Sequence, residues 1–310
     1  MRSALYSVRF FKAGYVLAQF LPRAISHRIG AGIALASYRR RASVQKVLRA
    51  NLRRLAARDG APLDALCEEN VANFGRMLAD YFLCSGVRGE SRVAALVDEW
   101  RGIEHLQAAR DQGRGTIIVT AHLGHWEMGG TMLAMRGFPM TVVTLDEPSS
   151  ELTRWRDAHR RQLGIKTIAV GPGRQFAFME MLEALRRNES VAMLVDRPYA
   201  GTGLPVDFCG ARTEFSSAPA LLAHHSGATV LPAFVLLNQQ RRYISFAAPA
   251  ISLAAAAGAR AVLGENTQRI ATMFESIIRS HPEQWFNYSP VWPEGQETGD
   301  RGQGTAGRTA

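Results

Sequence analysis

The sequence predicts an α/β fold, a layered α/β/α sheet domain preceded by a helical N-terminal region, and three observations carry that expectation. From Gly113 onward, short runs of β-branched and apolar residues alternate with segments of helical period, the pattern of a sheet wound with helices. Before that point apolar positions recur at helical spacing. Two of the strand-like runs, 116–121 and 191–195, end in titratable residues, as strands of an open sheet do where they deliver side chains into a crevice.

The expected organisation is a helical region over 1–112 with an interfacial membrane helix, an α/β domain over 113–293, and a disordered tail over 294–310, rich in Gly, Thr and Gln. A chain of 310 residues with 47% hydrophobic content suffices for a sizeable core. Three widely spaced cysteines suit neither a disulfide framework nor a zinc cluster and point to a reducing compartment.

The net charge of +10 is an N-terminal device. Thirteen of the 37 Lys and Arg residues precede the first acid, Asp59, so the remainder is near neutral against its 27 acids. Residues 4–21 are mostly apolar, with Arg2, Arg9, Lys12 and Gln19 on one helical stripe. Spanning a bilayer takes ~20 mainly apolar residues, and two mid-segment charges make that costly, so the helix is expected to lie in the interface. Arg39, Arg40 and Arg41 then suit lipid phosphates. No helix-turn-helix, zinc or RNA-recognition signature accompanies the charge, which argues against nucleic acid.

Residues 23–58 read as continuing helix, and 61–102 as further helices with no strand among them. Strands are expected at 116–121, 140–144, 166–170, 191–195, 229–237 and 242–246, the last two forming an antiparallel hairpin. The clearest helices are 150–163 and 175–187, and a further helix is expected over 259–280. The segment after Asp196, with Pro198, Gly201, Gly203 and Pro205, reads as an irregular loop over a ligand.

The chemistry centres on T-I-I-V-T-A-H-L-G-H-W-E-M-G-G, residues 116–130. A buried strand delivers His122 to the carboxyl edge of the sheet, and Glu127 follows near a helix start, where the dipole favours its charge. Glu127 would hold one imidazole nitrogen while the other faces a substrate hydroxyl. The same spacing suits a turn histidine, or a metal site of His122, His125 and Glu127, although the order differs from H-E-x-x-H and no Cys is near. Asp196 and Arg197 end the 191–195 run; Arg197 would bind a phosphate or a reacting carbonyl, or else pair with Asp196 at a surface turn.

H-L-G-H-W-E at 122–127, the D-R-P…V-D-F-C-G loop, the run A-P-A-L-L-A-H-H-S-G-A-T-V-L-P-A-F from Ala218, and H-P-E-Q-W-F from His281 resemble the bacterial lipid A biosynthesis (late) acyltransferase family. K-V-L-R-A-N-L from Lys46 resembles its basic stretch, and the resemblance runs over about residues 5–292. It implies an O-acyltransferase at the cytoplasmic face of the bacterial inner membrane, with an acyl carrier protein or CoA thioester as donor and a glycolipid hydroxyl as acceptor. No further cofactor is implied. His122 matches the family's catalytic histidine, Glu127 its acidic partner and Asp196 the aspartate of the later motif. His125, Arg197 and Cys209 stand where the family more often carries a small polar residue, Gln and Phe. Arg197 and backbone N–H groups near Gly124 are the candidates for binding the reacting carbonyl. The alternatives are another polar lipid acceptor, lysophospholipid or mannosylated, and a metal-assisted esterase or thioesterase.

Overall fold

The computed structural model describes residues 7–56, 59–85, 89–145, 149–198, 201–254 and 259–292. Helices α1 (Val8–Phe20), α2 (Arg23–Arg39), α3 (Ala42–Ala56), α4 (Gly60–Cys84) and α5 (Gly89–Leu96) come first. The continuous helix expected over 23–58 breaks after Arg39, where Arg41 N–H bonds back to the Tyr38 carbonyl and α3 sets off afresh. Helix α2 lies along α4 at a glycine crossing: a Cβ on Gly30 would overlap the Gly75 carbonyl, and one on Gly75 the Gly30 carbonyl. Small residues at the crossing let the two backbones meet.

Helix α1 divides its apolar residues differently from the expected stripe. Val8, Phe11 and Ala18 pack inward, with Phe11 edge-on to Phe82 and Trp155, while Val16, Leu17 and Phe20 stand exposed. Gln19 turns inward to the Phe82 carbonyl at 3.1 Å, and Lys12 pairs with Glu151 at 3.4 Å. Among the described residues no helix is long and apolar enough to cross a membrane. Arg2, Arg58 and the tail at 294–310 lie outside the described residues.

The expectation of no strand before residue 102 is corrected by β1 (Val97–Arg101), an edge strand paired parallel to the last strand. Then follow α6 (Ile103–Asp111), β2 (Thr116–Thr120), α7 (Trp126–Met135), β3 (Met140–Leu145), α8 (Ser150–Gln162), β4 (Lys166–Val170), α9 (Ala177–Arg186) and β5 (Ser190–Leu194). After them come β6 (Gly203–Phe208), β7 (Ala211–Ser216), α10 (Ala218–Ser226), β8 (Thr229–Leu237), β9 (Tyr243–Ala247) and α11 (Ala259–Ser280). The segment expected as an irregular loop is therefore largely a two-stranded hairpin, β6 with β7, turning at Cys209 and Gly210, both at positive φ.

Seven strands form one sheet in the order β1-β9-β8-β2-β5-β3-β4, parallel except for the β8–β9 pair. Its central strand β2 is buried from Thr116 to Val119, as a parallel strand covered on both faces must be. The fold is α/β, a helical N-terminal region followed by a mainly parallel sheet with interleaved helices.

The N-terminal helices clamp the chain's last described segment. Buried Asn51 of α3 donates to the carbonyls of Asn287 (3.0 Å) and Ser289 (2.9 Å), and Asn70 of α4 to those of Pro282 (3.0 Å) and Trp285 (2.9 Å). A buried amide finding two carbonyls satisfies both partners and fixes the segment without a sheet ladder. Trp285 and Phe286 are thereby fully buried beside the ends of β2 and β5.

Candidate active site

Strands β2 and β5 are direct neighbours, Thr120 pairing with Leu194, so the residues that follow them leave the sheet side by side. His122 and Asp196 meet there. The His122 ring Nδ1 lies 2.8 Å from Asp196 Oδ1, and the His122 backbone N–H reaches both carboxylate oxygens at 3.1 Å. Trp285 Nε1–H donates to Asp196 Oδ2 at 2.8 Å. Burial pushes the Asp196 carboxyl up, but the His122 charge and hydrogen bond, with Arg197 and Trp285 behind them, outweigh it and hold it below its ordinary value. A carboxylate at Nδ1 holds the proton there and leaves the Nε2 lone pair free, the tautomer a general base requires.

The expected partner for the imidazole was Glu127, five residues on; the structure gives that place to Asp196. Glu127 sits in the first turn of α7 and receives Arg156 and Arg160 of α8, Arg160 at 2.8 and 3.2 Å. Burial works against its charge, yet the two arginines overcome it and bring its pKa to about 2. Arg156 and Arg160 are four residues apart on one helical face, and that spacing was the available signal for them.

His125 caps α7: its Nδ1 accepts from Met128 N–H at 3.2 Å, so its proton is on Nε2. Burial pulls its pKa to about 4 against the opposing charges of Asp80 and Glu127. His122, His125 and Glu127 therefore turn to three different partners and do not converge on a common point. Among the described residues no group of three His, Cys, Asp or Glu side chains forms a metal site.

Gly124 is needed for its backbone. It stands at φ +60°, where a Cβ would overlap the Val235 carbonyl. Its N–H is spent on the Gln284 carbonyl at 2.9 Å, which removes it from the expected donors to a reacting carbonyl. The His125 N–H is likewise taken, by Val235 O at 2.8 Å. Phe286 N–H bonds to His122 O at 2.7 Å, so the turn bearing the histidine is stitched to the 282–286 segment and to β8. Arg197 reaches the Phe286 carbonyl at 3.4 Å, and Asn287 Nδ2 the Asp196 carbonyl at 3.4 Å. Trp285 lies in the H-P-E-Q-W-F motif, but its bond to the Asp196 carboxylate and that of Asn287 to the Asp196 backbone carbonyl span about 90 residues, a separation no local pattern reports.

The histidine opens into a cavity of about 960 Å³, at the upper end of the range for ligand pockets. Phe74, Met77, Leu78 and Tyr81 of α4 supply one apolar wall and Phe178 and Met181 of α9 another. Arg156, Arg160, Arg174 and Arg197 add positive charge to the lining. A long apolar chain with a polar or anionic end fits this combination.

Comparison with known proteins agrees with the geometry. Residues 4–293 match the family model for bacterial lipid A biosynthesis acyltransferases. The chain is 30% identical to a phosphatidylinositol mannoside acyltransferase of Mycobacterium tuberculosis, over 91% of this chain and 87% of the relative. It is 27% identical to the corresponding enzyme of Mycolicibacterium smegmatis, over 91% and 90% of the two chains. A lipid A biosynthesis acyltransferase of Haemophilus influenzae is 28% identical over 60% of this chain and 56% of its own. The protein is an acyltransferase and belongs to the bacterial lipid A biosynthesis acyltransferase family.

Proposed function

We propose that the protein transfers a fatty acyl chain from an acyl-carrier thioester, acyl carrier protein or CoA, to a hydroxyl of a glycolipid, working at the cytoplasmic face of the bacterial inner membrane. The observation that carries this reading is the His122–Asp196 pair at the wall of the apolar cavity. A sugar hydroxyl is a poor nucleophile at neutral pH. His122 Nε2 takes its proton as the oxygen attacks the thioester carbonyl, and the resulting imidazolium is stabilised by the Asp196 charge. Collapse of the tetrahedral intermediate expels the thiolate, which takes the proton back from the imidazolium. The acyl group ends as an ester and the donor as a free thiol, with no acyl-enzyme needed. Arg197 is the candidate to stabilise the oxyanion, and Glu127 acts indirectly, by fixing α7 against α8.

Membrane contact is supported by the exposed apolar residues of α1 and α2, Val16, Leu17, Phe20, Ile25, Ile29 and Ile33, with Arg39 to Arg41 beyond them. For the acceptor, a mannosylated lipid is favoured over a lipid A precursor. The similarity to the mannoside enzymes covers 91% of the chain, against 60% for the lipid A enzyme.

Mass spectrometry of total membrane lipids from cells carrying the active protein or His122→Ala tests the reading. One glycolipid should gain a fatty-acyl mass only with the active form, and its headgroup mass separates mannosylated lipid from lipid A. Free fatty acid accumulating instead would make the protein a thioesterase.

A further inference from the structure

A second cavity, of about 740 Å³, lies on the far side of α4 from the reaction cavity. Phe74, Met77, Leu78 and Tyr81 face the first; Arg76 and Asp80, on the opposite side of the helix, face α2. Its polar lining is Arg23, His27 and Arg28 of α2, Arg76 of α4, and Gln240 with Arg241 from the turn between β8 and β9. Among the described residues lining it none is acidic.

The nearest carboxylate, Asp80, is already saturated. It is fully buried and receives Arg23 Nε and Nη2 at 2.8 Å each and the Tyr243 hydroxyl at 2.8 Å, with His27 Nε2 at 2.9 Å. That leaves Arg28 and Arg241 as surplus cations, with Arg76 beside them answered only by the charge of Glu69, which does not line the cavity. Arg76 bonds the neutral Asn73 at 2.6 Å, and no described carboxylate pairs with Arg28 or Arg241. Folding presses the charges together: burial first, and the Arg241 charge second, pull the Arg76 guanidinium below its ordinary value, against the opposing charge of Glu69. Arg241 is held at φ +58°, its carbonyl bonded by Arg23 Nη1 at 2.6 Å, so its place at the rim is imposed by the fold. Guanidinium groups converging on a concavity whose described lining holds no carboxylate suit a phosphate, which can accept several of their N–H groups together.

We propose that this cavity binds a phosphate ester, with Arg28, Arg76 and Arg241 as its ligands. Ile25, Ile29 and Ile33 form an exposed row on the next face of α2, and Arg28 stands between that row and the cavity. With the isoleucines in an apolar layer, the cavity opens at the depth of lipid phosphates. A lipid headgroup as the source rests on the membrane reading above; a soluble phosphate ester does not.

The test uses the full chain and an Arg28→Gln/Arg241→Gln double variant, neither residue touching the reaction cavity. Binding of glycerol 3-phosphate is measured by calorimetry, and binding of phosphatidylglycerol and phosphatidylcholine vesicles by flotation. Acyl transfer from a thioester to the glycolipid acceptor in detergent reports independently on the reaction centre. The expected result is saturable one-to-one binding of glycerol 3-phosphate that the double variant weakens at least about tenfold, with thioester turnover unchanged. A parallel loss on phosphatidylglycerol vesicles alone identifies the lipid headgroup as the source. Loss on the soluble ester with vesicle binding intact supports the site and assigns it to a free phosphate ester. Equal binding by the two proteins, or no binding of either probe by the wild type, overturns the proposal and leaves the acyltransferase reading untouched.

Discussion

Asp196 and His122 are 74 residues apart in sequence and 2.8 Å apart in space, and the carboxylate holds the histidine three times, through its ring and twice through its backbone N–H. Orientation and tautomer of the histidine thus depend on one buried side chain. Asp196→Asn keeps the shape but offers N–H where acceptors are needed. We expect kcat to fall by on the order of 10² to 10⁴, with KM within a few-fold, measured by steady-state acyl transfer on protein of unchanged circular dichroism.

Trp285 contributes a donor as well as bulk. Trp285→Phe preserves most of the buried ring and removes the Nε1–H bond to Asp196. A hydrogen bond to a charged group contributes about 1.5–3 kcal/mol to stability, so a melting temperature lower by several degrees is expected, together with a lower kcat as the carboxylate loses a donor that fixes it. Trp285→Ala should destabilise the fold more, by about 3–5 kcal/mol.

Glu127 links pH to stability. Its folded pKa, about 2, lies below the ordinary value of 4.5, so the unfolded chain binds its proton first. The stabilisation is present above pH 4.5 and disappears as pH falls through 4.5 towards 2; at neutral pH it amounts to ~3 kcal/mol. Urea unfolding of wild type and Glu127→Gln should show a gap of about that size at pH 7 that narrows below about pH 4. A gap that widens on acidification would contradict the Arg156–Glu127–Arg160 assignment.

The α2–α4 crossing admits no side chain. Gly75→Leu pushes α2 away from α4 and should cost at least about 3 kcal/mol, by analogy with severe overpacking, read as a drop in the urea midpoint. A neutral effect would mean that α2 docks differently.

The central sheet was legible because strands covered on both faces are written as continuous apolar runs: T-I-I-V-T is β2, and 229–237 matches β8 residue for residue, while the edge strand β4 matches 166–170 through its apolar I-A-V. Strand β1, V-D-E-W-R, at the opposite edge, hides because three of its five residues, Asp98, Glu99 and Arg101, are charged and stand in water. The β6–β7 hairpin was masked by Gly203 and Pro205, although V-D-F and T-E-F around Cys209-Gly210 carry the period-two signal, with Val206, Phe208, Thr213 and Phe215 buried. At the site, the sequence placed His122 and Asp196 at strand ends but paired the histidine with the nearer acid. Adjacency of β2 and β5, which decides the partner, is a property of strand order and has no local trace.

The central claim is that His122, held by Asp196, removes the acceptor's proton. Single-turnover acyl transfer from a thioester to the glycolipid acceptor, comparing wild type with folded His122→Ala, tests it most directly. A loss of at least about 10³ in the transfer rate, with donor binding intact, is the predicted result. Transfer at the wild-type rate by the folded variant would contradict it.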